Sequence, residues 1–134
     1  MGVAVSCQVT AFSFNKYVMK DYRKLNVWVK GHQLVLEVYK TVGAFPKEEL
    51  FGLTSQTKRS AASIPTNIAE GCGRKSEKDF CRFLVISFGS ANELEYQVIL
   101  ATDLKFITAD EATSLLENIE EIKKMLSGLM SKLS

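Results

Sequence analysis

"SIPTNIAEGCGR", residues 63–74, decides how the chain is read. Around it Ala61, Ile64, Ile68 and Gly71 recur at i, i+3, i+7 and i+10, the rhythm of a helix face turned to a core. Pro65 stands inside that helix, where it removes a backbone donor and presses on the carbonyl of Ala61. The spacing predicts a helix over 54–70, kinked at Pro65, with a nearby polar group serving the carbonyl near residue 61. "GCGRKS" then stops it, glycine being expected to supply a left-handed cap. Arg59, Ser63, Asn67, Glu70 and Arg74 recur at i, i+4, i+8, i+11 and i+15, a polar stripe on the opposite side.

Outward from this stretch the chain reads as helix in both directions. Upstream, a helix over 26–42 places Trp28, Val35, Tyr39 and Val42 on one face with Leu34 and Val38 beside them, and "GAFPKEELFG" ends it at Pro46 and Gly52. Downstream, Ser76 with Asp79 resembles a capping box and opens a third helix that runs to about residue 104. Phe80, Leu84, Ala91, Leu94, Val98 and Ala101 form its apolar row. Gly89 costs ~1 kcal/mol relative to alanine in mid-helix, so a closely packed neighbour is expected there. Arg82, Ser90, Glu93 and Gln97 make a second polar stripe. Facing Asn67 and Glu70, it reads as a hydrogen-bonded seam or subunit interface, or as a solvated outer face. Thr108 with Glu111 opens a fourth helix carrying Leu115, Leu116, Ile119, Ile122, Met125, Leu126, Leu129 and Leu133, with Glu117, Glu120, Glu121, Lys123 and Lys124 on its solvated faces. The expected fold is all-α, an antiparallel up-down four-helix bundle over residues 21–134, with residues 1–20 an N-terminal extension outside it.

Composition agrees with one helical domain. The chain has 134 residues, 46% hydrophobic and 24% charged, with two prolines and eight glycines, too few for the turns of a β-sandwich. Its net charge of +2 is small but polarised. Residues 1–30 carry five cations against Asp21, residues 54–82 carry six against three carboxylates, and everything after residue 82 is net acidic. That matters if the two basic segments meet in space. The odd set Cys7, Cys72 and Cys81 lacks metal-type spacing and points to a reduced, cytoplasmic protein. No run approaches the ~20 apolar residues of a membrane span, so no membrane partner is expected.

Catalytic constellations are missing. His32 is the only histidine and reads as a packed or interface residue. Glu93 and Glu95 cannot share a helical face, which makes them a poor acid–base pair. Cys72 and Cys81 have no histidine partner with motif support, and "GCGRKS" has neither the spacing nor the preceding strand of a phosphate loop. Neither an enzyme nor a cofactor or metal is expected.

A run of ordered motifs carries a resemblance. They are Val27-Trp28, Phe45-Pro46, Leu53-Thr54-Ser55-Gln56, Arg59, Ser63-Ile64-Pro65, Asn67-Ile68-Ala69-Glu70-Gly71, Arg74, Phe83-Leu84, Gly89-Ser90 and Glu93-Leu94-Glu95. Through them residues 22 to 130 resemble the four-helix-bundle family encoded in intervening sequences of bacterial 23S ribosomal RNA genes, whose relatives include the accessory variability determinants of diversity-generating retroelements. The resemblance implies a ring-shaped homopentamer without enzymatic activity. In the retroelement members it implies a basic surface that binds RNA or DNA and a reverse transcriptase. The chain departs from the pattern at Cys72, where an aromatic is usual, at Thr57, where leucine is usual, and in its milder charge. Lys58, Arg59, Arg74, Lys75, Lys78 and Arg82 are the candidate nucleic-acid contacts, and all of them but Lys58 are expected together at one end of the bundle. Trp28, Pro65, Asn67, Glu70, Gly89, Ser90 and Glu93 are the candidate structural or interface residues. The alternative is a scaffold oligomer that binds a protein partner.

Overall fold

The computed structural model describes residues 21–133. They form four helices, α1 (Asn26–Val42), α2 (Leu53–Cys72), α3 (Glu77–Asp103) and α4 (Ala109–Leu133), with 3₁₀ turns at Tyr22–Lys24 and Lys47–Glu49. No strand occurs among the described residues, and the expected extension over 1–20 lies outside them.

The helix ends follow from local side-chain chemistry. Ser76 Oγ accepts the amide of Asp79 at 3.0 Å, while the Asp79 carboxylate turns forward to Arg82 rather than back to the cap. At α4 the box is reciprocal: the Glu111 amide donates to Thr108 Oγ1, and Glu111 Oε1 accepts the Thr108 amide. Glu49 Oε1 accepts the amide of Leu53 and so caps α2. The left-handed glycine expected after α2 is absent. Gly73 is right-handed, and i→i−3 bonds from the Gly73 and Arg74 amides use up the last carbonyls without reversing the chain. The left-handed residue is instead Lys105, at φ 65°. It closes α3 in a Schellman motif, with the Phe106 amide on the Ala101 carbonyl and the Lys105 amide on that of Thr102.

Each helix packs on the next, and α1 closes on α4, so α1 and α3 lie diagonally across the bundle. The apolar rows read on α3 and α4 are buried, apart from half-buried Leu116. On α1 the buried face is Val27, Leu34, Val38 and Val42, whereas Trp28 and Val35 only flank the core and Tyr39 is exposed. A wide apolar sector on α1 left that choice open, and contacts with both α2 and α4 settle it.

The stretch around Pro65 organises the seam between α2 and α3. The helix runs through Pro65, whose buried ring packs beside Gly31 of α1. Ser87 Oγ donates to the carbonyl of Ile64 at 2.9 Å, and Asn67 Nδ2 donates to the carbonyl of Ser63 at 2.8 Å and to its hydroxyl. These side chains therefore serve residues 63 and 64, not residue 61 as the sequence suggested. Asn67 and Glu70 do not reach a neighbouring helix either: Glu70 pairs along its own helix with Arg74. Two bonds cross from α3 to α2, Ser87 to the Ile64 carbonyl and Ser63 to Ser90, the latter 2.7 Å between hydroxyls. Residues ascending α2 meet residues descending α3, Ser63 at Ser90, Ile64 at Ser87 and Gly71 at Phe80.

Gly89 has no packed neighbour. A Cβ built there meets nothing within 4 Å, contrary to the expectation from its mid-helix position. The close approach falls at Gly71, where a Cβ would stand 2.9 Å from Phe83 Cβ and from the Phe80 ring.

Candidate nucleic-acid interface

The six candidate cations divide into two groups. Arg74 and Lys75 follow the end of α2, and Lys78 and Arg82 occupy the first turns of α3. Lys58 and Arg59 sit near the start of α2, ~22 Å away by the 1.5 Å rise per residue. They are not at the same end of the bundle.

At the α2–α3 turn the two guanidinium groups bracket one ring. Arg74 lies 4.6 Å and Arg82 4.8 Å from the centroid of Phe83. Arg74 also pairs with Glu70 at 3.3 Å and Arg82 with Asp79 at 3.6 Å. Lys75 and Lys78 are exposed, and no ion pair holds either among the described residues. The structure adds cations that the sequence reading did not assign. The Tyr22–Lys24 turn packs on α2, and Asp21 lies close enough to Cys72 to influence its thiol, so Arg23 and Lys24 share this end. Arg23 pairs with Asp21 at 3.0 Å and holds that carboxyl below its ordinary range. The polarised basic segments of the sequence thus meet. Six cations, Arg23, Lys24, Arg74, Lys75, Lys78 and Arg82, stand against Asp21, Glu70, Glu77 and Asp79, a net +2.

Lys58 and Arg59 belong to different surroundings. Lys58 Nζ lies 4.8 Å from the centroid of Tyr39, and Arg59 bonds Ser55. Both line an open groove of about 410 Å³ between α1 and α2, with Tyr39, Leu50 and Phe51.

Ser90 is buried at the seam, and exposed Glu93 accepts a long bond from the amide of buried Gln97, whose carbonyl oxygen has no donor among the described residues. Trp28 stacks on His32 at 5.2 Å and meets Tyr22 edge-on, which leaves His32 exposed on an aromatic face. Lys123, expected in solvent, is folded against Phe88 and Glu95. Burial pushes the Cys72 thiol up to about 12, with a smaller contribution from Asp21, so it is no nucleophile near neutral pH. No group of three or more His, Cys, Asp or Glu among the described residues could hold a metal ion, and no described helix is long and apolar enough to cross a membrane.

Fold and surface define a class: an all-α bundle with one basic end and, among the described residues, no assembled catalytic set. The model of the 23S rRNA-intervening sequence protein family matches residues 23–128, and the chain belongs to that family. It is also similar to a crystal structure of a protein of unknown function from the S23 ribosomal protein family of Bacteroides thetaiotaomicron, at 29% identity and a TM-score of 0.71, covering 78% of this chain and 97% of that one. No curated protein matches it.

Proposed function

We propose that this chain is a non-enzymatic, homo-oligomeric protein that binds the phosphate backbone of RNA or DNA through the basic end of its bundle, repeated around the assembly. The observation that carries the reading is the convergence of Arg23–Lys24 with Arg74–Arg82 on one end, where Lys24, Lys75 and Lys78 are exposed. A net +2 is weak for one copy, but several copies in a ring sum to a surface that concentrates polyanions. Arg74 and Arg82 are held against Phe83, and that buried ring offers no stacking platform for a base. The contact is with phosphate and not with sequence.

One feature of the same end favours a second reading, a scaffold for a protein partner. Three of its six cations are already matched by Asp21, Glu70 and Asp79. The test is a titration of duplex DNA and of structured RNA at about 50 and about 200 mM salt, with Lys75→Glu/Lys78→Glu alongside. Backbone binding requires affinity that falls steeply with salt and drops at least ~10-fold in the double variant, since each lost phosphate contact also lowers the salt slope. No binding at low salt, or binding the variant keeps, gives the protein-scaffold reading the field.

A further inference from the structure

We infer that a second α1–α2 groove, beside the basic end, holds an unpaired base, so that the polyanion this end prefers is a single strand or loop rather than a continuous duplex. The inference rests on the backbone binding proposed above and names its class of ligand. Two independent observations carry it, the make-up of the groove and the place where it opens.

Three rings form one wall. Trp28 and His32, one turn apart on α1, are stacked with centroids 5.2 Å apart and planes 8° from parallel. Tyr22 meets Trp28 edge-on at 5.1 Å. All three line an open groove of about 380 Å³, with Pro65, Thr66 and Ala69 of α2 across from them. That volume falls within the ~300–1,000 Å³ of small-molecule sites. The wall is not spent on the core, since Trp28 is only part-buried and His32 is exposed. His32 and Thr66 make no side-chain hydrogen bond among the described residues, which leaves both for the edge of a base. Where buried Phe83 offers a base nothing, this wall offers a stacking face. Stacking tolerates any sequence because every base has a π face. Bases inside a duplex are already stacked on one another, and extruding one costs free energy that an unpaired base does not require.

The place supplies the charge. Tyr22 shares its turn with Arg23 and Lys24, and the Arg23 guanidinium lies 6.0 Å from the centroid of its ring. Ala69 lies about one turn before α2 ends, ahead of Arg74 and Lys75. The groove therefore opens beside the cations. No carboxylate lines it, and the two next to it in the chain, Asp21 and Glu70, are held by Arg23 and Arg74. An apolar protein segment would fill an aromatic groove but has no use for neighbouring cations. A nucleotide strand uses both, phosphate on Lys24 and Lys75 and base on the rings.

Trp28 is the only tryptophan in the chain, so its fluorescence reports on this groove. The test titrates the wild type at about 50 mM salt with an oligothymidylate strand, with the same strand annealed to its complement, and with inorganic polyphosphate, which offers phosphate without bases. The strand is expected to quench Trp28 and to bind more tightly than the duplex, and polyphosphate to bind without quenching. His32→Ala, at an exposed position, should weaken the strand ~5-fold or more, the loss of one stacking ring, and leave polyphosphate binding unchanged. Lys75→Glu/Lys78→Glu should weaken all three ligands. Circular dichroism checks that both variants keep their helices. If the strand binds no more tightly than the duplex, if polyphosphate quenches as the strand does, or if His32→Ala binds the strand like wild type, the base site is wrong while the backbone reading stands. Failure of all three ligands to bind removes both and leaves the groove to a protein partner.

Discussion

A single methyl at Gly71 would sit 2.9 Å from Phe83 Cβ, an atom fixed to the backbone of α3. Helix propensity favours alanine over glycine by ~1 kcal/mol, but overpacking a tight contact costs typically ~1–3 kcal/mol. Gly71→Ala should therefore lower the denaturant midpoint, with a loss of up to ~2 kcal/mol of unfolding free energy once the two effects are combined. One residue further on, the buried Cys72 thiol makes a prediction about pH. Its ionisation is pushed up to about 12 from 9.0 in the folded chain, so between those values the native state holds a proton that the unfolded state has released. The neutral thiol's contribution is complete below about pH 9 and is lost as pH rises towards 12. Urea unfolding between pH 8 and 10.5 should show wild-type stability falling faster with pH than that of Cys72→Ala. Equal slopes would show that the thiol is hydrated.

Between α2 and α3 the seam is polar at Ser63, Ser87 and Ser90 and unfinished at Gln97. The three hydroxyls all have partners, but Gln97 is buried with its carbonyl oxygen unmatched, and its amide reaches Glu93 only at 3.5 Å. A buried acceptor without a donor costs ~1–3 kcal/mol, and removing the polar group removes that cost. Gln97→Leu is expected to raise the melting temperature, whereas Asn67→Ala, which strips a donor from Ser63, should lower it by the few degrees that ~1 kcal/mol is worth. A lower melting temperature in Gln97→Leu would mean that the oxygen is matched by water. These seam contacts also show how far sequence could lead. The bounds of α1 were readable because Pro46 and Gly52 punctuate a long apolar rhythm, and both the Ser76 and Thr108 caps were readable as short-range motifs. What was not readable depends on a partner helix: which flank of α1 faces inward, that Ser87 serves the carbonyl beside Pro65, and that Lys105 adopts the left-handed turn usually left to glycine. At the basic end the sequence showed two positive segments but not that Arg23 and Lys24 join the α2–α3 turn, whereas the distance of Lys58 and Arg59 from it was already implied by the length of the expected helix. Charge at one end of a bundle is set by topology, and the separation within α2 by helix rise.

Taken as one body, the bundle spends its apolar residues unevenly. The core is continuous through all four helices, yet large apolar side chains remain exposed on two diagonal faces, and Gly89 interrupts one of those faces at no benefit to the isolated subunit. Stability and assembly should therefore respond to Gly89 in opposite directions. In a lone subunit Gly89→Leu replaces the poorest ordinary helix former with a good one at an open position, worth ~0.8–1 kcal/mol. In the proposed oligomer, a second copy seated on this exposed face would meet the new side chain. At submicromolar concentration the variant should melt above the wild type. As concentration rises the wild type should gain stability by mass action, a few degrees for each ~1 kcal/mol in a chain of this size, while the variant stays flat. The two melting curves then cross as concentration increases. Parallel curves at every concentration would mean that Gly89 faces only water, and any contact between copies would have to be sought elsewhere on the surface.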